Sequence, residues 1–392
     1  MNILLVNWQD RENPQAGGAE IHLFELFSRL AAAGHRVRLV CSGWRGAPRS
    51  AMVEGIEVQR TGDRNTSALH GRAAVRRALA AEVPDILVED VNKLPLYTGT
   101  LTDRPLCAII PHLFGDAVFH EASLPLATAV WLAERPLARG YRRAGFHAIS
   151  ESTRDDLVER GVPAERIRVI HPGVDAVHFR PDPAVTRTDP PSFLYVGRLK
   201  RYKGVDVAIR ALALARERRP DLRLDIAGRG DHQPALEALV RSLDLSGAVT
   251  FHGFVGEDRK LHLLRSTWAN VFPSPKEGWG ITVMEAAACG TPSLASDSPG
   301  LRDSVRDGVT GHLVPHGDAA ALAARMVELA SRPAEVERLG RAARQVALGL
   351  TWDAAARATD DVCISAFSAP TTGLPLFSEE RTGGAVFHPA AD

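Results

Sequence analysis

Residues 277–285 read EGWGITVME and hold two glutamates, Glu277 and Glu285, with seven residues between them. Paired carboxylates can cut a glycosidic bond when they stand about 5 to 9.5 Å apart, one as acid and the other as nucleophile or base. A continuous helix would separate these two by about 12 Å, eight steps at roughly 1.5 Å each. That is too far for one bond, but it suits a grip on two ends of an extended ligand. The plain alternative is a solvated helix face.

VGRLKRYKG, residues 196–204, carries Arg198 and Lys203 between two glycines in the loop leaving an apolar strand. Arginine offers phosphate oxygens a planar fork and lysine a mobile point charge, so the pair suits a diphosphate. A solvated basic loop is the alternative here. Gly278 and Gly280 allow backbone N–H groups to turn toward an anion where a helix begins. Glu277 then sits at the mouth of that turn and Glu285 one to two turns inside. A phosphate, a sugar hydroxyl and a ribose hydroxyl could thus belong to one ligand. NPQAGGAE places Gly17 and Gly18 before the first helix, a second backbone-amide site. The strict GxGxxG fingerprint is absent there, which disfavours a nicotinamide dinucleotide, and the GRG at Gly228 to Gly230 is weak by itself.

These residues need rigid elements to place them. NILLVNW, HRVRLVCSG, GIEVQRTG, DILVEDVN, PLCAIIPHLFG and FHAIS read as strands, with helical runs such as residues 18–34, 70–84 and 151–161 among them. SFLYVGR, LRLDIAG, AVTFHGFV, ANVFPS and TPSLASD repeat the scheme. Alternation of this kind means parallel sheets covered by helices, α/β with two Rossmann-like domains facing each other across a cleft. The expected boundaries are 1–180 and 192–350 for the domains, with a proline-rich linker at 181–191. A helix follows at 351–368, able to pack on either domain, then a disordered tail at 369–392. Ligands bind at the carboxyl ends of such strands, so Asn7, Trp8, Ser42, Gly43, Glu89, Asp90, His112 and Ser150 are expected on one rim of the cleft.

At 392 residues the chain is long enough for two cores, and its 47 basic and 47 acidic residues balance, which gives no sign of a nucleic-acid partner. Only five basic residues are lysines: Lys93, Lys200, Lys203, Lys260 and Lys276. The four cysteines are widely spaced and form no CxxC pair, which argues against a zinc cluster or a disulfide framework and fits a reducing cytoplasm. No secretory signal or membrane span is expected, because no stretch reaches 18 uninterrupted apolar residues.

In this combination the chain resembles the family-four retaining glycosyltransferases of the GT-B fold. Their Glu-x7-Glu element matches Glu277 and Glu285, and their G-R-x4-K element matches Arg198 and Lys203. The likeness runs to about residue 365, with GGAE, HPGVD, HGFV and ACGTPSLAS in the family's order. It implies an acceptor-side domain at 1–180 and a nucleotide-sugar donor domain at 192–350. Arg198 and Lys203 would hold the donor diphosphate and Glu285 the ribose, with the backbone around Val255 at the base. Glu277 and the amides from Gly278 through Trp279 and Gly280 to Ile281 would hold the sugar, and Gly17 and Gly18 would close over the diphosphate. His112 matches a family histidine beside the reacting sugar. Trp279 stands where phenylalanine is common and His171 where asparagine is.

The resemblance implies retaining transfer of a hexose, mannose or glucose above all, from a UDP- or GDP-sugar to a hydroxyl. No metal or other cofactor is expected, since no DxD motif occurs. Alternatives are a sugar-nucleotide epimerase of the same fold, a catalytically silent nucleotide-binding module, and a nicotinamide oxidoreductase. The acceptor stays open: lipid-linked, polysaccharide or small molecule. Glu89, Asp90 and Asn92 are candidate acceptor contacts, with satisfied polar groups at a sheet edge as the alternative. Residues 124–145 combine apolar residues with Trp131, Arg135, Arg139, Arg142 and Arg143. They suit either peripheral contact with the inner membrane face or a buried helix with a basic end.

Overall fold

The computed structural model describes residues 1–63, 66–121 and 123–368; the tail expected to be disordered, 369–392, lies outside them. Strands β1 (Asn2–Gln9), β2 (Arg36–Gly43), β3 (Ser50–Val53), β4 (Ile56–Asp63), β5 (Ile86–Asp90), β6 (Leu106–Ile110), β7 (Ala144–Ala148) and β8 (Ile167–Val169) form one sheet. Its order is β3-β4-β2-β1-β5-β6-β7-β8, and every pair is parallel except the β3–β4 hairpin. The second sheet, wholly parallel, comprises β9 (Ser192–Val196), β10 (Arg223–Ala227), β11 (Val249–Gly253), β12 (Ala269–Phe272), β13 (Ser293–Asp297) and β14 (Gly311–Pro315). Its order is β11-β10-β9-β12-β13-β14. Central strands β5, β6 and β9 are buried along their whole length, which is why they read as apolar runs, β5 until it ends in Glu89 and Asp90.

Register sets the rim. Val6 of β1 pairs with Val40 and Glu89, Asp90 pairs with Ile109, and Ile110 pairs with Ala148. The strand ends are therefore level, and the residues that follow them come out together. The β3–β4 hairpin turns through Glu54 and Gly55, both at positive φ (50° and 82°), without the Asn-Gly or Asp-Gly pair that usually announces such a turn.

The chain returns to the first domain at its end. Trp352, Ala355, Ala356, Val362 and Cys363 of the helix Trp352–Ser368 join Phe24, Phe27 and Ile109 in one buried cluster, and Arg29 meets Asp353 at 2.7 Å. This seat explains the glycine of HPGVD, because a Cβ on Gly173 would stand 2.2 Å from the Trp352 nitrogen. The four cysteines are buried and unpaired.

Candidate functional site

The helix after EGWG begins at Ile281, later than a continuous helix would require. Gly280 caps it at φ +94°, so Glu277 lies in the preceding loop and Glu285 on the second turn of Ile281–Ala288. Each glutamate is held by a lysine. Lys203 Nζ stands 2.5 Å from Glu277 Oε1, with both side chains about seven-eighths buried, and Lys260 Nζ stands 3.0 Å from Glu285 Oε1. Burial pulls the Lys203 ammonium down, but Glu277, Tyr202 and the hydrogen bond outweigh it and leave its pKa raised. Glu285 is raised by burial, with Lys260 opposing. Both glutamates are thus fixed in place by lysines from other elements.

Arg198 stays exposed in the loop after β9, and its guanidinium lies 3.8 Å from where a Cβ on Gly17 would be. Gly17 caps the helix Gly18–Ala32, and its N–H donates to Glu20 Oε2 at 2.7 Å. A Cβ on Gly18 would lie 3.4 Å from Ile281 Cδ1, so the Gly17–Gly18 loop packs against the start of the helix Ile281–Ala288. Across the same seam a Cβ on Gly278 would fall 2.4 Å from the Pro111 carbonyl oxygen. Close approach of the two domains demands glycine there.

Trp279 and His171, the two departures from the family pattern, touch: their rings stack at 4.4 Å with 19° between planes. Trp279 is buried among Ile149, Val174 and Val283, so what it can offer a ligand is backbone. Val255 is half-buried beside the same cluster, just after β11.

His112 follows β6 and packs edge-on against Phe114 at 5.2 Å. Burial at the base of the cleft, with the charges of Lys93, Lys276, Lys203 and Arg198, pushes its pKa down to about 3. The ring is neutral at physiological pH, surrounded by cations that suit a diphosphate. Lys93, Lys260 and Lys276 were not assigned roles from the sequence. The scarcity of lysine was the available signal: Lys93 and Lys200 line the cavity, Lys203 and Lys276 act on His112, and Lys260 holds Glu285. Lys276 bridges the domains to Asp156 at 3.0 Å, and Lys200 pairs with Asp231 at 2.7 Å.

On the rim the candidate acceptor residues divide. Glu89 accepts from Leu96 N (2.6 Å), Thr98 N (3.0 Å), Thr98 Oγ1 (2.5 Å) and Tyr141 OH (2.6 Å), so it anchors the following loop. That is the satisfied-polar-group alternative. Asn92 donates to Asn7 Oδ1 at 2.8 Å, while neither oxygen of the buried Asp90 has a partner. All three line a cavity of about 660 Å³ that runs from the first domain to Arg198, Arg201 and Tyr202. The 124–145 segment is a helix, Leu124–Glu134, and a short turn of helix, Leu137–Gly140. Ala127 and Glu134 are buried, while Leu124, Leu126 and Leu132 are exposed. Among the described residues no helix is long and apolar enough to cross a membrane.

Two facing parallel α/β domains with a basic loop, a glycine-capped helix and paired glutamates at their seam define a GT-B protein. Residues 16–178 match the family model Glycosyltransferase Family 4, and residues 180–346 match Glycosyl transferases group 1. The D-inositol 3-phosphate glycosyltransferase of Streptomyces avermitilis is 30% identical over 90% of this chain and 84% of its own length. The glycogen synthase of Mycobacterium tuberculosis is 30% identical over 93% and 95%. Among solved structures, sucrose-phosphate synthase from Thermosynechococcus elongatus superposes with a TM-score of 0.80 at 23% identity, covering 94% of this chain and 100% of its own. Anabaena HepE in complex with UDP-glucose superposes with a TM-score of 0.73 at 18% identity, over 93% and 100%. The chain belongs to the family-4 GT-B glycosyltransferases.

Proposed function

We propose that the protein transfers a hexose, glucose or mannose, from a UDP- or GDP-sugar to an acceptor hydroxyl with retention at the anomeric carbon. The observation that carries this reading is the meeting of Arg198, Lys203, the amides at Gly278–Ile281 and two lysine-held glutamates at one seam. The relatives' activities and the UDP-glucose bound by the Anabaena protein support a nucleotide-sugar donor.

In this mechanism the bond from the anomeric carbon to the diphosphate oxygen breaks and negative charge builds on the leaving group. Arg198, Lys203 and the helix amides stabilise that charge. The acceptor oxygen bonds to the anomeric carbon from the same face and passes its proton to the departing phosphate oxygen, so no separate protein base is required. Glu277 orients the sugar and Glu285 the ribose, while the neutral His112 lies beside the sugar and adds no charge. The cations take the place of a divalent metal. An epimerase has no need of a second-substrate cavity, and the space beside Arg198 favours the transferase. The exposed Leu124, Leu126 and Leu132, with Arg135 stacked 4.0 Å over Trp131, suit peripheral contact with an anionic bilayer, checked by sedimentation with anionic liposomes at low salt.

The test is turnover of UDP-glucose and GDP-mannose with and without EDTA, with the product's anomeric configuration read by NMR. Arg198→Ala and Lys203→Ala should each lose about 10²- to 10³-fold in kcat. Unimpaired variants, an inverted product or abolition by EDTA would each contradict part of the reading.

A further inference from the structure

The cavity beside the donor seam has a floor and a wall of different chemistry. On the floor, Asp90 ends β5, is 5% exposed, and has no hydrogen-bond partner at either carboxyl oxygen. Its neighbour Asn92 has both an occupied and an open side. The amide nitrogen donates to Asn7 Oδ1 at 2.8 Å and Glu20 Oε1 at 3.4 Å, while the Asn92 oxygen has no partner. Buried polar atoms are nearly always paired, because stranding one forfeits the hydration it had in the unfolded chain. Glu89, one residue from Asp90, has four donors, so the local fold can satisfy a carboxylate where it needs one. The wall is Leu94, Leu96, Val118, Leu126 and Val130. Leu126 is 56% exposed and leads to Leu124, 71% exposed, which makes an apolar path to the surface.

We propose that this cavity is the acceptor subsite, that Asp90 and the Asn92 oxygen hold a pair of hydroxyls on the acceptor's head, and that the leucine and valine wall takes an apolar portion leaving past Leu126. The acceptor is accordingly an amphiphile, a sugar or polyol carrying an alkyl or isoprenoid chain. This rests on the transferase reading above and names the substrate class of the same cleft. Burial, then the charges of Glu20 and Glu89, raises the Asp90 carboxyl well above the usual range, which favours the protonated form, and that form can both donate to and accept from a hydroxyl. About 660 Å³ is ample for a sugar ring with part of a chain.

The experiment uses the full chain, with UDP-glucose and GDP-mannose as donors, octyl β-D-glucopyranoside, D-glucose and glucose 6-phosphate as acceptor probes, and UDP and GDP as binding probes of the donor site. The octyl glucoside should accelerate nucleoside diphosphate release well beyond either of the other two. Asp90→Leu should raise the KM for octyl glucoside by about tenfold or more, the usual worth of a lost hydrogen-bonded contact. The same variant should melt no lower than the wild type, since it removes a carboxyl that nothing in the free protein satisfies; a merely structural aspartate would melt lower. Equal use of glucose, preference for the phosphorylated sugar, or an unchanged KM in Asp90→Leu overturns the inference, as does a loss of melting temperature. A wild type that binds neither UDP nor GDP brings down the transferase reading with it. One that binds a nucleotide but is indifferent to Asp90→Leu brings down this inference alone.

Discussion

The two glutamates of the EGWGITVME stretch are each paired with a lysine in the free protein. In the proposed mechanism a donor would therefore meet charges already oriented, with little reorganisation left to do. His112 contributes differently. With its pKa held near 3 in the free enzyme, kcat/KM should show no group titrating between pH 6 and 7. His112→Gln, which keeps a neutral hydrogen-bonding side chain, should retain more activity than His112→Ala. An acid limb near pH 6.5 that vanishes in His112→Gln would contradict the assignment. At this scale the sequence was informative where residue types recur at fixed spacing, as in Arg198 with Lys203 and Glu277 with Glu285. It was silent on Lys260, which lies 25 residues from Glu285 and reaches it only because the helix after β11 packs beside Ile281–Ala288.

Among the elements, the glycine loops set the geometry of the seam. A methyl group on Gly278 would stand 2.4 Å from the Pro111 oxygen and 2.8 Å from Ile149 Cδ1, so Gly278→Ala must push the domains apart. A misplacement near 1 Å costs about 10²-fold in rate. Turnover should fall by about that factor, while the urea midpoint, which reports the separate cores, moves little. The docking of the last helix has its own signature. His22 and His147 lie 5.5 Å apart beside Trp352, and no hydrogen-bond partner reaches either nitrogen of His22 or Nδ1 of His147. Burial holds His22 well below the usual imidazole range and His147 at about 4. Between about pH 6.5 and pH 4 the unfolded chain takes up protons that the folded chain refuses, so this contribution is complete above pH 6.5 and fades as pH falls. The urea midpoint should therefore drop from pH 7 to pH 5, and by less in His22→Phe. Most strands and helices were legible because parallel strands buried on both faces read as apolar runs. Strand β4 was read from GIEVQRTG, but β3 and its hairpin with β4 were not, since Glu54–Gly55 is a weak turn signal. Whether the final helix sat on the first or second domain was open, because its apolar face would suit either.

For the molecule as a whole, the two sheets are tied across the cleft by Lys276 to Asp156 at 3.0 Å and by Ser152 N donating to Asp303 Oδ2 at 3.1 Å. Beside these two polar ties, Ile149 of the first domain packs in one buried cluster with Trp279 and Val283 of the second. Lys276→Ala should weaken donor binding by a few-fold and widen the solution scattering envelope of the free protein; an unchanged envelope would mean that the seam is held by packing at Gly278 and Trp279 alone. The GT-B arrangement followed from alternation and one linker, and Glu89, Asp90 and Asn92 were legible as candidates on the rim, whereas the cavity they line was not, since its lining comes from strands, helices and loops of both domains.

The central claim is that one nucleoside diphosphate binds between Arg198, Lys203 and Glu285. Calorimetric titration of the wild type, Lys203→Ala and Glu285→Gln with UDP and with GDP tests it most directly. The account predicts that one of the two nucleotides binds the wild type in a single site and that each substitution weakens it by about tenfold or more. Binding of neither, or an affinity indifferent to both substitutions, would contradict it.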